Sequence, residues 1–283
     1  MNQSELAVLR RAYARHIAFA ARTDDTRLEA ALLSVRREAF MGEGPWLIGA
    51  AGGPDRTPDA EPHWLYQDTL VSLIDSKGLN NGQPSFLAFL IGLGRIQAGE
   101  HVVHIGAGVG YYTAIMAELA GQAGRVTAIE LEPELAARAV KNLAAYPQVQ
   151  TVCADGSVQP LAPADVILVN AGASRPLDLW LDALTDGGRL ILPLTVGFTL
   201  NGVAMTHGHV FLIERQGDAF AATWKSQTAI YPCFGAQDAT SEESLKAALR
   251  RGGHDKVRRL IRTDDAPADA RWASGPGWAL TFV

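Results

Sequence analysis

His101-Val102-Val103-His104-Ile105-Gly106-Ala107-Gly108-Val109-Gly110-Tyr111 is followed, twenty residues after Gly110, by Glu130 at the end of Arg125-Val126-Thr127-Ala128-Ile129. An apolar strand that runs into a glycine turn lets main chain approach a ligand closely, and a second strand that ends in a carboxylate can hold two ribose hydroxyls. The stretch reads as a nucleoside-cofactor site. The spacing matters more than the glycines. A G-x-G-x-x-G turn, which cradles a pyrophosphate, needs glycine at 111 where this chain has Tyr111, so a pyrophosphate-bearing cofactor fits less well.

Working outward, the pattern alternates strand and helix. A helix over 85–93 precedes the strand at 101–105, and the helix after the glycine turn carries Tyr112, Ile115, Met116 and Leu119 on one face, with Gly121 as its stop. After the strand at 125–129, Pro133 opens a helix whose inner face is Leu135, Ala139, Val140 and Leu143. Strands follow at 149–153, 165–169 and 189–194, with helices expected between them. This alternation predicts an α/β fold, a doubly wound mostly parallel sheet with helices on both faces. Past Pro193 the segments 203–205, 209–214, 219–224 and 229–231 read as short strands joined by turn pairs such as His207-Gly208 and Gly217-Asp218, an antiparallel C-terminal addition at one sheet edge.

Upstream, Leu6, Leu9, Tyr13 and Ile17, then Leu28, Ala31, Leu32 and Val35, predict two N-terminal helices broken at Thr23-Asp24-Asp25-Thr26. Residues 42–62, rich in Gly, Pro, Ala and Asp, read as a loop, either a lid or an excursion. A tail helix over 241–251 with Ser241 as N-cap leads to the segment Trp272-Ala273-Ser274-Gly275-Pro276-Gly277-Trp278. The expected organisation is 1–62 as N-terminal helices and loop, 63–235 as the core, and 236–283 as the C-terminal helix and tail.

Totals narrow the class. The 283 residues, 48% hydrophobic, suffice for one well-buried core with an appendage. A net charge of -5 and no Lys/Arg run longer than two argue against a nucleic-acid partner. The pairs Arg10-Arg11, Arg36-Arg37, Arg250-Arg251 and Arg258-Arg259 read as solvated helix faces. Two cysteines outside any C-x-x-C pair argue against a zinc ribbon or disulfide scaffold. Without an apolar signal core or membrane-length run, the expected location is cytoplasmic, with no membrane partner.

Among candidate functional residues, Glu130 is read as a ribose ligand against the plain alternative of a solvated loop glutamate. Asp155, in Cys153-Ala154-Asp155-Gly156-Ser157, is placed to accept from an adenine amino group, against an ordinary Asp-Gly turn. His207 and His209 flank a glycine but lack a carboxylate or Cys at ligand spacing, so no metal is expected. His101 and His104 read as strand residues, Cys153 as an inert buried thiol, and Trp224, Trp272 and Trp278 as core or edge-covering aromatics.

Several blocks together resemble a known family. Gly-x-Gly-x-Gly is the usual form in methyltransferases that bind S-adenosylmethionine, a nucleoside without phosphate. Ser34-Val35-Arg36-Arg37-Glu38-Ala39-Phe40, Tyr66-Gln67-Asp68, Gly82-Gln83-Pro84, the glycine turn with Tyr111, Asp155-Gly156 and Asp186-Gly187-Gly188-Arg189-Leu190-Ile191-Leu192-Pro193 come in the order and spacing of protein-L-isoaspartate O-methyltransferases. The resemblance covers roughly 28–235 and implies a Rossmann-like methyltransferase that esterifies the α-carboxyl of isoaspartyl residues, a protein-repair reaction in which the ester collapses to a succinimide. It implies that Gly106, Ala107, Gly108, Gly110 and Tyr111 contact the cofactor around its methionine end, Glu130 and Leu131 around the ribose, Asp155-Gly156 at the adenine, and that Asn170 joins them. Tyr66, Asp68, Gly82 and Gln83 fall at the acceptor side, where a protein or peptide carboxylate is the expected partner.

Methyl transfer to oxygen is an in-line displacement that needs alignment and exclusion of water, and a carboxylate acceptor is already ionised at neutral pH. The absence of an acid–base dyad is therefore compatible with an enzyme. Two departures stand out. The family usually has Ser where this chain has Gly82, so a hydroxyl that could orient the substrate carboxylate is missing and Asn80 or Asn81 is the nearest donor. His104 stands where an acidic residue is usual, which weakens attraction for the cofactor's cationic end. These leave two alternatives to isoaspartyl transfer: the same fold with another peptide or small-molecule acceptor, and a protein that binds the cofactor without transferring its methyl group.

Overall fold

The computed structural model describes residues 1–49 and 53–283. In chain order the elements are α1 (Gln3–Ala20), α2 (Thr26–Ser34), α3 (Glu38–Met41), β1 (Leu47–Ile48), β2 (Asp55–Arg56), β3 (Ser72–Ile74), β4 (Leu79–Asn80), α4 (Pro84–Gly94), β5 (His101–Ile105), α5 (Tyr111–Ala120), β6 (Arg125–Glu130), α6 (Pro133–Asn142) and β7 (Val149–Cys153). They continue as β8 (Ala164–Val169), α7 (Asp178–Ala183), β9 (Leu184–Leu200), β10 (Val203–Gln216), β11 (Ala219–Ile230), α8 (Ala239–Arg251), β12 (Arg259–Ile261), β13 (Arg271–Gly275) and β14 (Trp278–Thr281). The succession β5-α5-β6-α6-β7 and then β8-α7-β9 is the α/β alternation expected of a Rossmann-like methyltransferase. The chain groups into two compact units, 1–100 with 107–153, and 101–106 with 154–283.

In the first unit the helix starts follow from local chemistry. Asn2 and Glu5 form a reciprocal capping box on α1, the Asp25 carboxylate accepts from the Arg27 amide at the start of α2, and prolines occupy the first turns of α4 and α6. The α5 helix is almost wholly buried, which matches its apolar sequence. On α6 Leu135 and Ala139 are buried as expected, as is Leu143 just beyond it, while Val140 is exposed and Ala136 is buried in addition. β6 and β7 run parallel. Within the 42–62 loop β1 and β2 pair antiparallel; Ala50, Ala51 and Gly52 of that loop lie outside the described residues.

Arg37 overturns the reading of the arginine pairs. It is fully buried, and its two terminal nitrogens donate to the carbonyls of Leu65, Gln67 and Thr69 at 2.7, 2.9 and 3.0 Å. The guanidinium lies 6.0 Å from the Tyr13 ring centre and 5.8 Å from that of Tyr111, the aromatic environment that suits a weakly hydrated cation. Cys153 is also a correction: it is exposed.

In the second unit the strand order is β13-β14-β12-β11-β10-β9-β8-β5. β5, β8 and β9 run parallel and the remaining neighbours antiparallel. The antiparallel addition is longer than its sequence suggests. β10 runs unbroken through His207-Gly208, and β11 joins 219–224 to 229–231, so the predicted turn at 207–208 is absent. Gly208 pairs with Thr195, and a Cβ there would overlap the Leu194 carbonyl; it marks close backbone approach rather than a turn. No helix links β7 and β8; residues 154–163 are turns and extended chain. The α8 cap is Asp238, whose carboxylate accepts from the Ser241 amide, because the buried Ser241 hydroxyl instead accepts from the Trp278 indole. No helix among the described residues is long and apolar enough to cross a membrane.

Candidate functional site

In the first unit the glycine turn is fastened to the end of β6. The Ala107 amide donates to the Ile129 carbonyl at 3.1 Å, and the Gly108 amide donates to Glu130 Oε2 at 2.6 Å. Glu130 Oε1 accepts from the Glu132 amide at 2.9 Å. The carboxylate is buried, and burial raises its pKa against the lowering effect of the Glu132, Gly108 and Leu131 amides. A carboxylate has about four lone-pair sites, so with these amides on it the group can still accept a further hydrogen bond. Gly110 caps α5 at a φ of +88°, and a Cβ there would meet Leu143 Cδ1 at 2.7 Å, so only glycine fits. Leu131 is 49% exposed beside Glu130, an apolar surface next to a carboxylate. Tyr111 is 0% exposed, with its ring against Phe40 and Tyr112 and its hydroxyl 3.5 Å from that of Tyr13. Its side chain is core, and only its main chain belongs to the turn.

The same unit holds the other sequence-selected group. Arg37 grips the carbonyls on either side of Tyr66 and Asp68 and so fixes this segment. The Tyr66 hydroxyl donates to Glu38 and accepts from Arg10 Nε at 3.0 Å; Arg10 also pairs with Glu38. Burial and the Glu38 carboxylate push the Tyr66 pKa upward, so the phenol stays protonated. Asp68 Oδ1 accepts from the Ser85 amide at 2.8 Å, while Oδ2 accepts from Ser85 Oγ at 2.6 Å and Gln83 Nε2 at 3.0 Å. Asp68 thus satisfies the start of α4, where main-chain donors lack helical partners.

Gly82 sits at a φ of +73°, where a Cβ would lie 2.7 Å from Leu87 Cδ2. Its amide donates to Asn80 Oδ1 at 2.8 Å and its carbonyl accepts from the Tyr112 hydroxyl at 3.3 Å. Tyr112 stands in the first turn of α5, so this bond brings the 80–83 turn beside the glycine turn. The Asn81 main-chain amide donates to the Val71 carbonyl at 2.9 Å, while its side-chain Nδ2 is buried without a hydrogen-bond partner.

In the second unit Gly106 directly follows β5, and its carbonyl accepts from Asn170 Nδ2 at 3.1 Å; the Asn170 amide donates to the Ile105 carbonyl at 2.8 Å. Asp155 Oδ1 accepts from the Ser157 amide at 2.8 Å, which makes the Asp-Gly segment a true turn and leaves Oδ2 for another donor. The Gly156 carbonyl accepts from the Trp180 indole at 2.9 Å. Sequence reading missed the strand-to-helix segment after β11. A Cβ on Gly235 would overlap Ser157 Oγ and lie 2.7 Å from Asp155 Oδ2. Burial, with the Asp155 charge, pushes the Cys233 thiol up to about 12. Phe234 between them is 66% exposed. Ser85 and Arg37 were missed as well; proline at the first position of α4 signals a cap but does not name its donor. His207 packs on Phe198, whereas His209 is buried against His254 with ring centres 4.0 Å apart.

The model of the Protein-L-isoaspartate(D-aspartate) O-methyltransferase family matches residues 57–221. The protein-L-isoaspartate O-methyltransferase of Methanocella arvoryzae is 32% identical over 205 residues, 71% of this chain and 95% of that protein. That of Ignicoccus hospitalis is 36% identical over 141 residues, 48% of this chain and 66% of that protein. Among solved structures, a protein-L-isoaspartate O-methyltransferase superposes with a TM-score of 0.63 at 21% identity, covering 90% of this chain and 74% of that one. A Plasmodium falciparum structure titled as the same enzyme, in complex with S-adenosyl-L-homocysteine, gives 0.60 at 16% identity, covering 79% of this chain and 97% of that one. With a fold of this kind and a family match over more than half its length, the chain belongs to the protein-L-isoaspartate O-methyltransferase family.

Proposed function

We propose that the chain is an S-adenosylmethionine-dependent O-methyltransferase that esterifies the α-carboxylate of L-isoaspartyl residues in proteins or peptides. The observation that carries this reading is the Tyr112 hydroxyl bond to the Gly82 carbonyl, which joins the 80–83 turn to the helix that opens from the glycine turn. Acceptor and cofactor segments of one reaction need that adjacency. The fit of the cofactor rests on a turn without side chains at 108 and 110 and on a buried Glu130 carboxylate that can accept a further hydrogen bond. By the family resemblance Ala107, Gly108 and Gly110 of the first unit hold the methionine end and Glu130 the ribose, with Leu131 against it. In the second unit the resemblance assigns cofactor contacts to Gly106, Asp155, Gly156 and Asn170.

When bound, the cofactor would supply a sulfonium methyl group, its S–CH3 bond breaking as the O–CH3 bond forms and the electron pair staying on sulfur. The acceptor carboxylate enters already ionised, so no side chain need remove a proton. The chain's part is to orient the carboxylate at the 80–85 turn and to exclude water. Tyr66 contributes through the Arg10 and Glu38 network rather than by contact with the acceptor, since both of its hydroxyl bonds are made within that network. A different peptide or small acid as acceptor is favoured by one observation, the left-handed Gly82 that leaves no hydroxyl at this position.

Calorimetric titration with S-adenosylhomocysteine tests the cofactor assignment. Wild type should bind one equivalent, and Glu130→Ala, which removes the hydroxyl's charged acceptor, should lose about 3 kcal/mol or ~100-fold in affinity. An unchanged affinity in Glu130→Ala would remove Glu130 from the site.

A further inference from the structure

The hydroxyl missing at position 82 has a counterpart three residues later. Gly82 is not simply a serine without its side chain. Its φ of +73° is a conformation L-residues rarely adopt, and a Cβ there would meet Leu87 Cδ2 at 2.7 Å. Asn80 Oδ1 and the Tyr112 hydroxyl pin the turn in that form from its amide and carbonyl sides. The turn is therefore built around glycine, and a hydroxyl for the acceptor must come from elsewhere.

Ser85 lies in the first turn of α4, half-buried, with its Oγ donating to Asp68 Oδ2 at 2.6 Å and its amide to Oδ1 at 2.8 Å. Gln83 Nε2 donates to the same Oδ2 at 3.0 Å. Two side-chain donors, Ser85 and the exposed Gln83, are thus gathered on one carboxylate oxygen. Asp68 receives three hydrogen bonds and can release one. If the Ser85 hydroxyl turns its proton outward, Asp68 keeps the Ser85 amide and the Gln83 amide, and the second N–H of Gln83 Nε2 remains available beside it. A carboxylate, which can only accept, matches such a donor pair.

We propose that Ser85, held by Asp68 and flanked by Gln83, is the acceptor-binding hydroxyl of this chain and takes one oxygen of the substrate carboxylate. The inference rests on the isoaspartyl-methyltransferase reading above. The full-length protein is assayed with S-adenosylmethionine and an isoaspartyl peptide, as wild type, Ser85→Ala and Ser85→Thr. Binding of the same peptide, fluorescently labelled, to the S-adenosylhomocysteine-loaded protein is followed by anisotropy.

Ser85→Ala should raise KM and the dissociation constant for the peptide by about ten- to a hundredfold, the loss of one hydrogen bond to a charged group. Affinity for S-adenosylhomocysteine and KM for S-adenosylmethionine should be unchanged, and Ser85→Thr, which keeps the hydroxyl, should stay within a few-fold of wild type. If wild type methylates the peptide and Ser85→Ala has the same KM, the inference fails and the functional reading stands. The inference also fails if Thr is as damaging as Ala and both lose cofactor affinity, because the role is then structural. If wild type neither binds nor methylates the isoaspartyl peptide, the functional reading itself fails and takes this inference with it.

Discussion

Replacing Gly82 by Ser restores the residue usual in the family, and the structure predicts that it harms the protein. Holding an L-residue at a φ of +73° costs about 1–2 kcal/mol. The new Cβ at 2.7 Å from Leu87 Cδ2 adds an overpacking cost of about 1 kcal/mol or more, because Leu87 is only 2% exposed and has little room to turn. The sum, about 2–3 kcal/mol, corresponds to a fall in Tm of roughly 4–12 °C for a chain of this size. Gly82→Ala is the control, since it adds the same Cβ without the hydroxyl. Thermal unfolding followed by circular dichroism should show both variants destabilised to a similar extent, and initial rates with an isoaspartyl peptide should be no higher in Gly82→Ser than in wild type. A Gly82→Ser protein that melts with wild type and turns over faster would refute the argument. It would mean that the turn relaxes freely and that the missing hydroxyl had been the limiting feature.

Further expectations follow from the same geometry. Burial raises the Glu130 pKa above its ordinary value, and the ribose needs the ionised form as acceptor. Affinity for S-adenosylhomocysteine should therefore be full above that pKa and decline as pH falls through it, starting at a higher pH than an ordinary glutamate would give. Glu130→Gln should bind more weakly and show a flat profile in calorimetry across the same range. In the unliganded protein the sign is opposite: a raised carboxylate favours the fold below its unfolded pKa, and that contribution is lost as pH rises through the folded one. Tyr66→Phe removes the hydroxyl shared by Glu38 and Arg10 and should cost about 1–3 kcal/mol of stability, read by denaturant unfolding, with KM for the peptide unchanged. Arg37→Lys cannot reproduce three carbonyl bonds from one planar group and should cost about 3 kcal/mol or more in the same measurement.

The glycine turn and the strand end beside it are legible because their signals are local. A five-residue buried strand, glycines at positive φ and a strand-end glutamate are each set by a few neighbouring residues, and the structure places the Glu130 carboxylate on the Gly108 amide. What stayed hidden depends on partners distant in sequence. Arg37 looks like half of a solvated pair until the carbonyls at 65, 67 and 69 are seen around it. Ser85 looks like an ordinary helix-start residue until Asp68 is brought to it. The long hairpin of β9 and β10 is hidden in the sequence because Gly208 reads locally as a turn, whereas the packing of β9 requires that residue to carry no side chain. Ser241 has the type and position of a cap, but its oxygen accepts from the Trp278 indole.

The most direct test of the functional reading is methyl transfer from labelled S-adenosylmethionine to an isoaspartyl peptide and its aspartyl isomer in parallel, read as base-labile methanol. Transfer to the isoaspartyl peptide, with none to the aspartyl form, is the predicted result. Equal transfer to both, or none to either while S-adenosylhomocysteine still binds, would contradict the proposed substrate.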